Sequence, residues 1–276
     1  MIEYPVIDVW MQPGLQKFLN EPMFDSLKRW NKNGGLSEEI PVEHTLRDMD
    51  QANIVKGLLS SWTGPAGPLI PNETIDAMVQ RFPDRFYGIA SVPINRPVEA
   101  VDILDHYVTH QGFKGLRIVQ WLWNLPPTHA YYYPLFTRCV QLDIPVCLQV
   151  GHTGPLMPSE VGRPIPYIDQ VAIDFPKLKI VCGHIGYPWT NEMIAVATKH
   201  KNVYIDTSAY TTKRYPLELV QFMKAHGRKK VLFGTNYPMI SPGKCLENLA
   251  DLQLPQDVSE NFLYKNAERV FKIEVS

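Results

Sequence analysis

The segment Ile180–Trp189, IVCGHIGYPW, is a short apolar run that delivers His184 into a turn. Runs of this length that are rich in apolar and β-branched residues and end at Gly and Pro predict a buried strand and the loop after it. Gly183, Gly186 and Pro188 mark the loop here. His184 is therefore expected at the carboxyl end of a strand, where parallel sheets and barrels assemble their chemistry.

The same pattern recurs along the chain, because eight short apolar runs are each followed by a helical pattern. The predicted strands are Val6–Trp10, Ile54–Ser60, Phe86–Pro93, Gly115–Val119, Pro145–Val150, Ile180–His184, Val203–Thr207 and Val231–Gly234. Repeated strand–helix units predict a parallel sheet, and eight units close most simply into one (β/α)8 TIM barrel. A doubly wound open sheet is the alternative, but no GxGxxG or GxxxxGK[ST] motif follows the first strand.

The predicted domain organisation is a single barrel domain over residues 1–276, with an inserted loop region after strand one. That region, Met11–Glu39, is polar and aromatic and is expected to form a long loop with some helix; loops of this length are commonly functional. After the second strand, Pro65–Pro71 is expected to break the chain before the next helix, Glu73–Phe82.

Composition favours a small-molecule partner. The chain has 276 residues, 45% of them hydrophobic and 20% charged, with a net charge of -1. This balance gives no electrostatic reason to expect nucleic acid or an anionic membrane as partner. The four cysteines contain no CxxC pair and are expected to be reduced core thiols. No signal-peptide pattern and no run of 18 apolar residues is found, so a cytoplasmic location is expected.

Several stretches, in the right order, carry a resemblance that covers essentially the whole chain. They are VIDVWMQ (6–12), HTLRDMDQANI (44–54), RFPDRFYGIASVP (81–93), FKGLR (113–117), GHIGYPW (183–189), NVYIDTS (202–208), VLFGTNYP (231–238) and KNAERVFKI (265–273). In these stretches the chain resembles the amidohydrolase-related family (amidohydrolase 2) of the amidohydrolase superfamily. That family includes aminocarboxymuconate-semialdehyde decarboxylase, hydroxybenzoate decarboxylases and pyrone-dicarboxylate lactonases.

The resemblance implies a divalent-metal site, and this chain departs from it at most of the ligand positions. The family carries Asp-x-His-x-His on strand one, a histidine at the end of strand five, another at the end of strand six and an aspartate at the end of strand eight. Here Asp8 and His184 match, and the other positions hold Trp10, Gln12, Gln149 and Asn236. Because side chains alternate along a strand, Asp8, Trp10 and Gln12 are expected on one face of strand one. Catalytic zinc needs about three imidazole, carboxylate or thiolate ligands, and neutral amides are weak donors. No metal and no other cofactor is therefore expected.

Three residues are the candidates for catalysis. His184 is expected to act as general acid or base at the barrel mouth, with a hydrogen-bonded core histidine as the structural alternative. His152, in the loop GHTG, is a second acid/base candidate or a loop cap. Asp8 is expected to orient a site group or to tie strand one to a neighbouring backbone. If a divalent metal binds in an atypical way, His152 and His184 are its most plausible pair.

The remaining candidates would bind substrate. Arg117 is the expected carboxylate anchor, because guanidinium offers a bidentate fork; a buried ion pair is the alternative. Gln12, Gln149 and Asn236 would hold substrate oxygens. The aromatic residues expected to line an apolar pocket for a ring are Trp10, Trp62 and Tyr237. Asp206 and Ser208 flank the end of strand seven, where they could line the pocket or be structural.

These residues predict an enzyme, specifically a metal-independent hydrolase of lactones or esters, or a decarboxylase. The predicted substrate is a small carboxylated cyclic or aromatic compound. Trp10 supports a different class of function, a non-catalytic barrel that binds a small aromatic ligand, because its indole fills space at a former ligand position. Because many related proteins form dimers, a homodimer is one assembly to test.

Overall fold

The computed structural model describes residues 4–30 and 38–275. Eight parallel strands form the barrel, and two further strands form a hairpin beside it. The barrel strands are Val6–Met11 (β1), Ile54–Ser60 (β2), Phe86–Ile89 (β5), Leu116–Ile118 (β6), Val146–Gln149 (β7), Ile180–Gly183 (β8), Val203–Asp206 (β9) and Val231–Leu232 (β10). The hairpin strands are Trp62–Gly64 (β3) and Gly67–Ile70 (β4). The predicted TIM barrel is confirmed.

Two hydrogen-bonded sheets make up the barrel wall. Their strand orders are β1-β2-β5 and β10-β9-β8-β7-β6. A parallel bridge between Ala90 and Leu116 joins the sheets on one side. On the other side the Val9 amide donates to the Phe233 carbonyl at 3.1 Å, which brings β1 beside β10. The carboxyl ends of all eight strands consequently meet at one mouth.

A helix follows each barrel strand and covers its outer face. The main helices are Val42–Gln51, Asn72–Arg81, Pro97–Thr109, Tyr133–Leu142, Asp169–Asp174, Thr190–Lys199, Leu217–Lys224 and Asn266–Phe271. Pro97 begins its helix at the first position, where a missing N–H costs nothing, and the helix buries Ala100, Leu104 and Tyr107. Such apolar stripes against apolar strands form the core between wall and helices.

The loop after β1 contains short helical segments, Gln16–Leu19, Pro22–Phe24 and Asp25–Trp30. This agrees with the predicted loop that carries some helix. The part of that prediction on residues 31–37 lies outside the described residues. The segment closes over the barrel mouth, where Ser26 Oγ donates to the Gly154 carbonyl at 2.6 Å and the Leu156 amide donates to the Met23 carbonyl at 2.8 Å.

The structure corrects three local predictions. The stretch expected to break the chain at Pro65–Pro71 instead contributes β4 of the hairpin. The third predicted strand ends at Ile89 rather than at Pro93. In β1, the pairing with β2 shifts register between Asp8 and Met11. Strict alternation therefore does not run through Trp10, because a register shift changes which face a residue presents.

The prediction of reduced core thiols is confirmed, since Cys139, Cys147, Cys182 and Cys245 are all free and buried. Within the described residues, no helix combines the length and the apolar character needed to cross a membrane.

Candidate active site

Residues with left-handed backbone conformation follow three neighbouring strands, β8, β9 and β10, at the barrel mouth. His184 has φ +71° directly after β8, Ala209 has φ +65° shortly after β9, and Asn236 has φ +67° after β10. Ile185 follows His184 with φ +52°. A β-branched residue is rarely found in this region, and such strain concentrates at functional sites. The mouth on the β8–β10 side is thus one place where the fold tolerates unfavourable local geometry.

His184 is held at this mouth by one hydrogen bond and one ring contact. Its Nδ1 lies 2.7 Å from Ser208 Oγ, and its ring centroid lies 5.3 Å from that of Trp10. Burial, reinforced by the positive charge of Arg117, lowers the pKa of His184 to about 3. The imidazole is therefore neutral at pH 7; it can accept a hydrogen bond, but at that pH it holds a proton only weakly and has no imidazolium proton to donate.

Arg117 lies inside the barrel with its guanidinium against the indole of Trp10. The distance from Cζ to the indole centroid is 3.2 Å, and both side chains are buried. Among the described residues, none accepts a hydrogen bond from Arg117 Nε, Nη1 or Nη2. Burial lowers the Arg117 pKa to about 10, so the side chain remains a cation at neutral pH. A buried cation without acceptors is costly unless a ligand supplies them.

Two buried carboxyl groups lie in the same part of the barrel but differ in their bonding. Asp8 Oδ1 accepts from the amides of Trp10 and Thr235 at 3.0 Å each, and Oδ2 accepts from Thr235 Oγ1 at 2.5 Å. Asp206 Oδ1 accepts from the Ser208 amide at 2.5 Å, whereas Oδ2 is buried with no described partner. Burial raises the pKa of each carboxyl to about 7.

The amide side chains at positions where the resemblance implies metal ligands are bonded to other protein groups. Gln12 Nε2 donates to Asn236 Oδ1 at 3.1 Å and to the Asn236 carbonyl at 3.2 Å. Gln149 Oε1 accepts from Trp121 Nε1 at 2.8 Å. These contacts bring together residues that the sequence predicted to hold substrate oxygens, and they occupy part of the hydrogen-bonding capacity assigned to that role. Gln12 Oε1 remains without a described partner.

An aromatic cluster covers the β3 side of the mouth. Trp62 packs edge-on against Phe18, Phe24 and Trp121 at centroid distances of 5.0, 6.4 and 5.7 Å. Its Nε1 is buried without a described partner. Trp62 is thus buried among aromatic side chains, and its role in lining a pocket stays a prediction.

Tyr237 lies elsewhere, with its hydroxyl 3.3 Å from Thr45 Oγ1 on the helix Val42–Gln51. It therefore packs between β10 and a covering helix, and this contact does not favour the predicted role in substrate binding.

His152 lies further out than His184. It contributes to a cavity of about 540 Å³ that is lined by Ser26, Arg29 and His152–Pro158. Its ring meets Tyr187 edge-on at 6.1 Å, and burial lowers its pKa. The two histidines are close enough for the charge of His152 to affect the pKa of His184. The cavity thus lies between the loop after β1 and the loop after β7.

The residues present do not fit the divalent metal that the resemblance implies. Across residues 4–30 and 38–275, no group of three or more His, Cys, Asp or Glu side chains is arranged to hold a metal ion. The indole of Trp10 has no ligand atom for a metal, and the Gln12 and Asn236 amides are bonded to each other. Of the side chains at these positions, the ones of a zinc-ligand type are His184 and Asp8, and both oxygens of Asp8 are engaged by Trp10 and Thr235. Catalytic zinc needs about three such ligands.

The room for the Trp10 indole depends on glycine. A Cβ placed on Gly183 would lie 2.6 Å from ring atoms of Trp10. Gly183→Ala is therefore expected to lower the free energy of unfolding by about 1–3 kcal/mol, because overpacking a filled core forces neighbours to shift. Chemical denaturation measures the change. Gly243→Ala is the control, because nothing lies within 4 Å of its Cβ position; equal losses in both variants would contradict the packing argument.

Comparison with known proteins defines the class to which this fold and site belong. The family described as Amidohydrolase matches residues 43–273, and the chain belongs to this family of enzymes.

The chain is also similar to three individual proteins. An alignment of 299 positions with Decarboxylase orsB of Emericella nidulans shows 23% identity and covers 87% of this chain and 89% of that protein. The crystal structure of an uncharacterised TIM-barrel protein from Bordetella bronchiseptica has a TM-score of 0.84 and 25% identity, with coverage of 98% and 99%. A dihydroxybenzoic acid decarboxylase from Polaromonas sp., with bound manganese and the inhibitor 2-nitroresorcinol, has a TM-score of 0.75 and 18% identity, with 97% of each chain covered.

Some residues of the site were not singled out by the sequence reading. Thr235 fixes Asp8 through its amide and hydroxyl, and Gln120 Nε2 donates to the Gln149 carbonyl. Thr235 directly precedes Asn236 in the motif VLFGTNYP after β10, so its place in that motif could have marked it as a site residue. No sequence pattern marked Gln120, because a short helix after β6 brings its side chain to β7.

Proposed function

We propose that this protein is a metal-independent decarboxylase of a small carboxylated aromatic compound. The observation that carries the proposal is Arg117, a buried organic cation with three nitrogens that lack described acceptors, stacked on the residue that replaces a metal ligand. A planar carboxylate matches a guanidinium fork. The decarboxylase names of two similar proteins support the reaction class.

The fixed cation suits this reaction when it bridges two oxygens of the substrate. Guanidinium is wide enough to contact a carboxylate oxygen and a neighbouring ring hydroxyl together. As the carboxylate leaves as CO2, negative charge moves onto the ring and its hydroxyl oxygen. A cation that also contacts that oxygen keeps its interaction in the transition state, which is the condition for catalysis rather than mere binding.

His184 has a complementary role in this scheme. Ser208 engages its Nδ1 at 2.7 Å, which leaves Nε2 for a substrate group. A neutral imidazole accepts the hydrogen bond of a ring hydroxyl and draws electron density toward the ring, which assists loss of CO2. The Trp62 cluster supplies apolar surface for the ring face.

The proposal is tested by release of CO2 from dihydroxybenzoates, including the 2,6-isomer, in the presence and absence of a chelator. Turnover that is unchanged by chelator is expected, in protein whose elemental analysis shows far less than one divalent metal per chain. Loss of turnover with chelator and recovery on adding manganese would contradict metal independence. Absence of CO2 release from every dihydroxybenzoate would contradict the assigned reaction.

Hydrolysis of a lactone is the second candidate. The observation that favours it is His152 on the lining of the cavity of about 540 Å³: burial lowers its pKa, so the unprotonated imidazole, the form that activates water as a general base, is the one present at neutral pH. The two reactions are separated by their products: hydrolysis yields a hydroxy acid with every carbon retained, whereas decarboxylation removes one carbon as CO2. A non-catalytic binder would retain 2-nitroresorcinol and give neither product.

A further inference from the structure

Decarboxylation of an aromatic acid leaves an electron pair on the ring carbon, and that carbon must gain a proton. His184 and Arg117, which contact the ring of Trp10, are poor donors of this proton. His184 is neutral at pH 7, and Arg117 keeps its protons far above neutral pH. A proton donor for the proposed reaction must therefore be another group in the same part of the barrel.

Among the described residues, Asp8 and Asp206 are the buried carboxylic acids, and their bonding separates them. Both oxygens of Asp8 are engaged by Trp10 and Thr235, which gives this carboxyl the geometry of a structural tie. In Asp206 only Oδ1 is engaged, by the Ser208 amide, and Oδ2 is buried without a described partner. An unpaired buried carboxyl oxygen is uncommon, because it costs free energy in the resting protein.

Asp206 is also in contact with the right neighbourhood. A Cβ placed on Gly234 would lie 2.6 Å from Asp206 Oδ1 and 3.1 Å from Trp10 Cβ, so both side chains border the same glycine. Ser208, whose amide fixes Asp206, also holds His184 through its hydroxyl. Arg117 is a charged neighbour that affects the Asp206 carboxyl. The Asp206 carboxyl thus borders the cluster of Trp10, Arg117 and His184.

We propose that Asp206 is the acid that protonates the ring carbon as CO2 leaves. The bond between the ring carbon and the carboxylate carbon breaks, its electron pair goes to the ring carbon, and the Asp206 proton is transferred to that carbon. The products are the decarboxylated phenol and CO2, and the Asp206 carboxylate regains its proton from water. Burial, which raises the Asp206 pKa to about 7, keeps a protonated fraction present at neutral pH.

This assignment rests on the proposed function, and its test must separate the two. By microscopic reversibility, the group that protonates the ring carbon also catalyses the reverse step. The ionised Asp206 carboxylate is therefore expected to remove the proton from the same ring carbon of the product. Wild-type protein is therefore expected to accelerate exchange of one ring hydrogen of resorcinol in D2O, measured by NMR against a protein-free sample. Asp206→Asn is expected to lower this rate at least 100-fold, the lower range for a general acid–base group. Asp206→Glu is expected to keep part of it.

Binding of 2-nitroresorcinol, measured by calorimetry, shows that the variants remain folded; affinity within about threefold of wild type is expected. Asp84→Asn, at an exposed position, is the matched control. Exchange that depends on Asp206 supports the assignment even if no CO2 is released, a result that counts against the proposed function alone. The Asp206 assignment is overturned if Asp206→Asn exchanges the ring hydrogen as fast as the wild type. It is also overturned if the wild type gives no exchange above the protein-free sample.

Discussion

Arg117→Met is expected to weaken binding of dihydroxybenzoates and 2-nitroresorcinol at least 100-fold, while raising the free energy of unfolding by about 1–2 kcal/mol. Ligand affinity falls because two charge-assisted hydrogen bonds, each contributing about 1.5–3 kcal/mol, are lost. Stability rises because the unliganded protein no longer buries a guanidinium that lacks described acceptors, and replacing buried charge by apolar volume is commonly neutral or stabilising. Calorimetric titration and denaturant unfolding measure the two effects.

Two companion variants sharpen this result. Arg117→Lys keeps the charge but not the planar fork, so an affinity between those of wild type and Arg117→Met is expected. Arg96→Met removes an exposed arginine that pairs with Glu99 at 2.8 Å, and it is expected to leave both affinity and stability nearly unchanged. An Arg117→Met protein that binds ligand as the wild type does would remove Arg117 from the site.

Asp206→Asn is expected to change how stability depends on pH. The folded-state pKa of Asp206 is raised from the ordinary value of 3.8 to about 7. The folded protein therefore holds this proton more tightly than the unfolded chain, and the resulting stability is present below about pH 4 and is lost as pH rises through 7. Between pH 5 and pH 8 the wild type is expected to lose about 3 kcal/mol relative to Asp206→Asn.

The comparison isolates this group because its neighbours are the same in both proteins. The titratable groups around it are Asp8, Arg117, Cys147, Cys182 and Tyr215. His184 acts in the opposite sense, because its lowered pKa removes stability as pH falls, but it does so equally in wild type and variant. Parallel stability curves for the two proteins from pH 5 to pH 8 would show that Asp206 is not a buried acid with a raised pKa.

The barrel was predictable because its strands are short apolar runs separated by helical patterns of constant rhythm, a signal local to each unit. The hairpin Trp62–Gly64 and Gly67–Ile70 was missed for a related reason. Gly and Pro at high density predict a break, and the pairing that makes these residues a hairpin is a contact between two stretches that each look irregular alone.

Candidate site positions could be predicted from where strands end, but their contacts could not. The stacking of Arg117 on Trp10 joins residues more than one hundred positions apart. The direction of Tyr237, which contacts Thr45 on a covering helix, depends on the left-handed backbone at Asn236 and the turn it begins. Such directions follow from tertiary packing, which the spacing of residue types along a chain does not encode.

The stacked guanidinium also sets the electrostatic balance of the barrel mouth. At an effective dielectric constant of about 20, a unit charge repels a divalent ion by about 7 kcal/mol when the two are about 5 Å apart. The Arg117 guanidinium carbon lies 3.2 Å from the centroid of the Trp10 ring, at one of the positions that the resemblance gives to a metal ligand. Restoring His at positions 10 and 12 would thus leave a resident charge opposed to metal entry, so a return to metal binding also needs a change at Arg117. Under the proposed function, a covalently attached cation does not dissociate, exchange or depend on metal supply, and the enzyme would be complete as soon as the chain has folded.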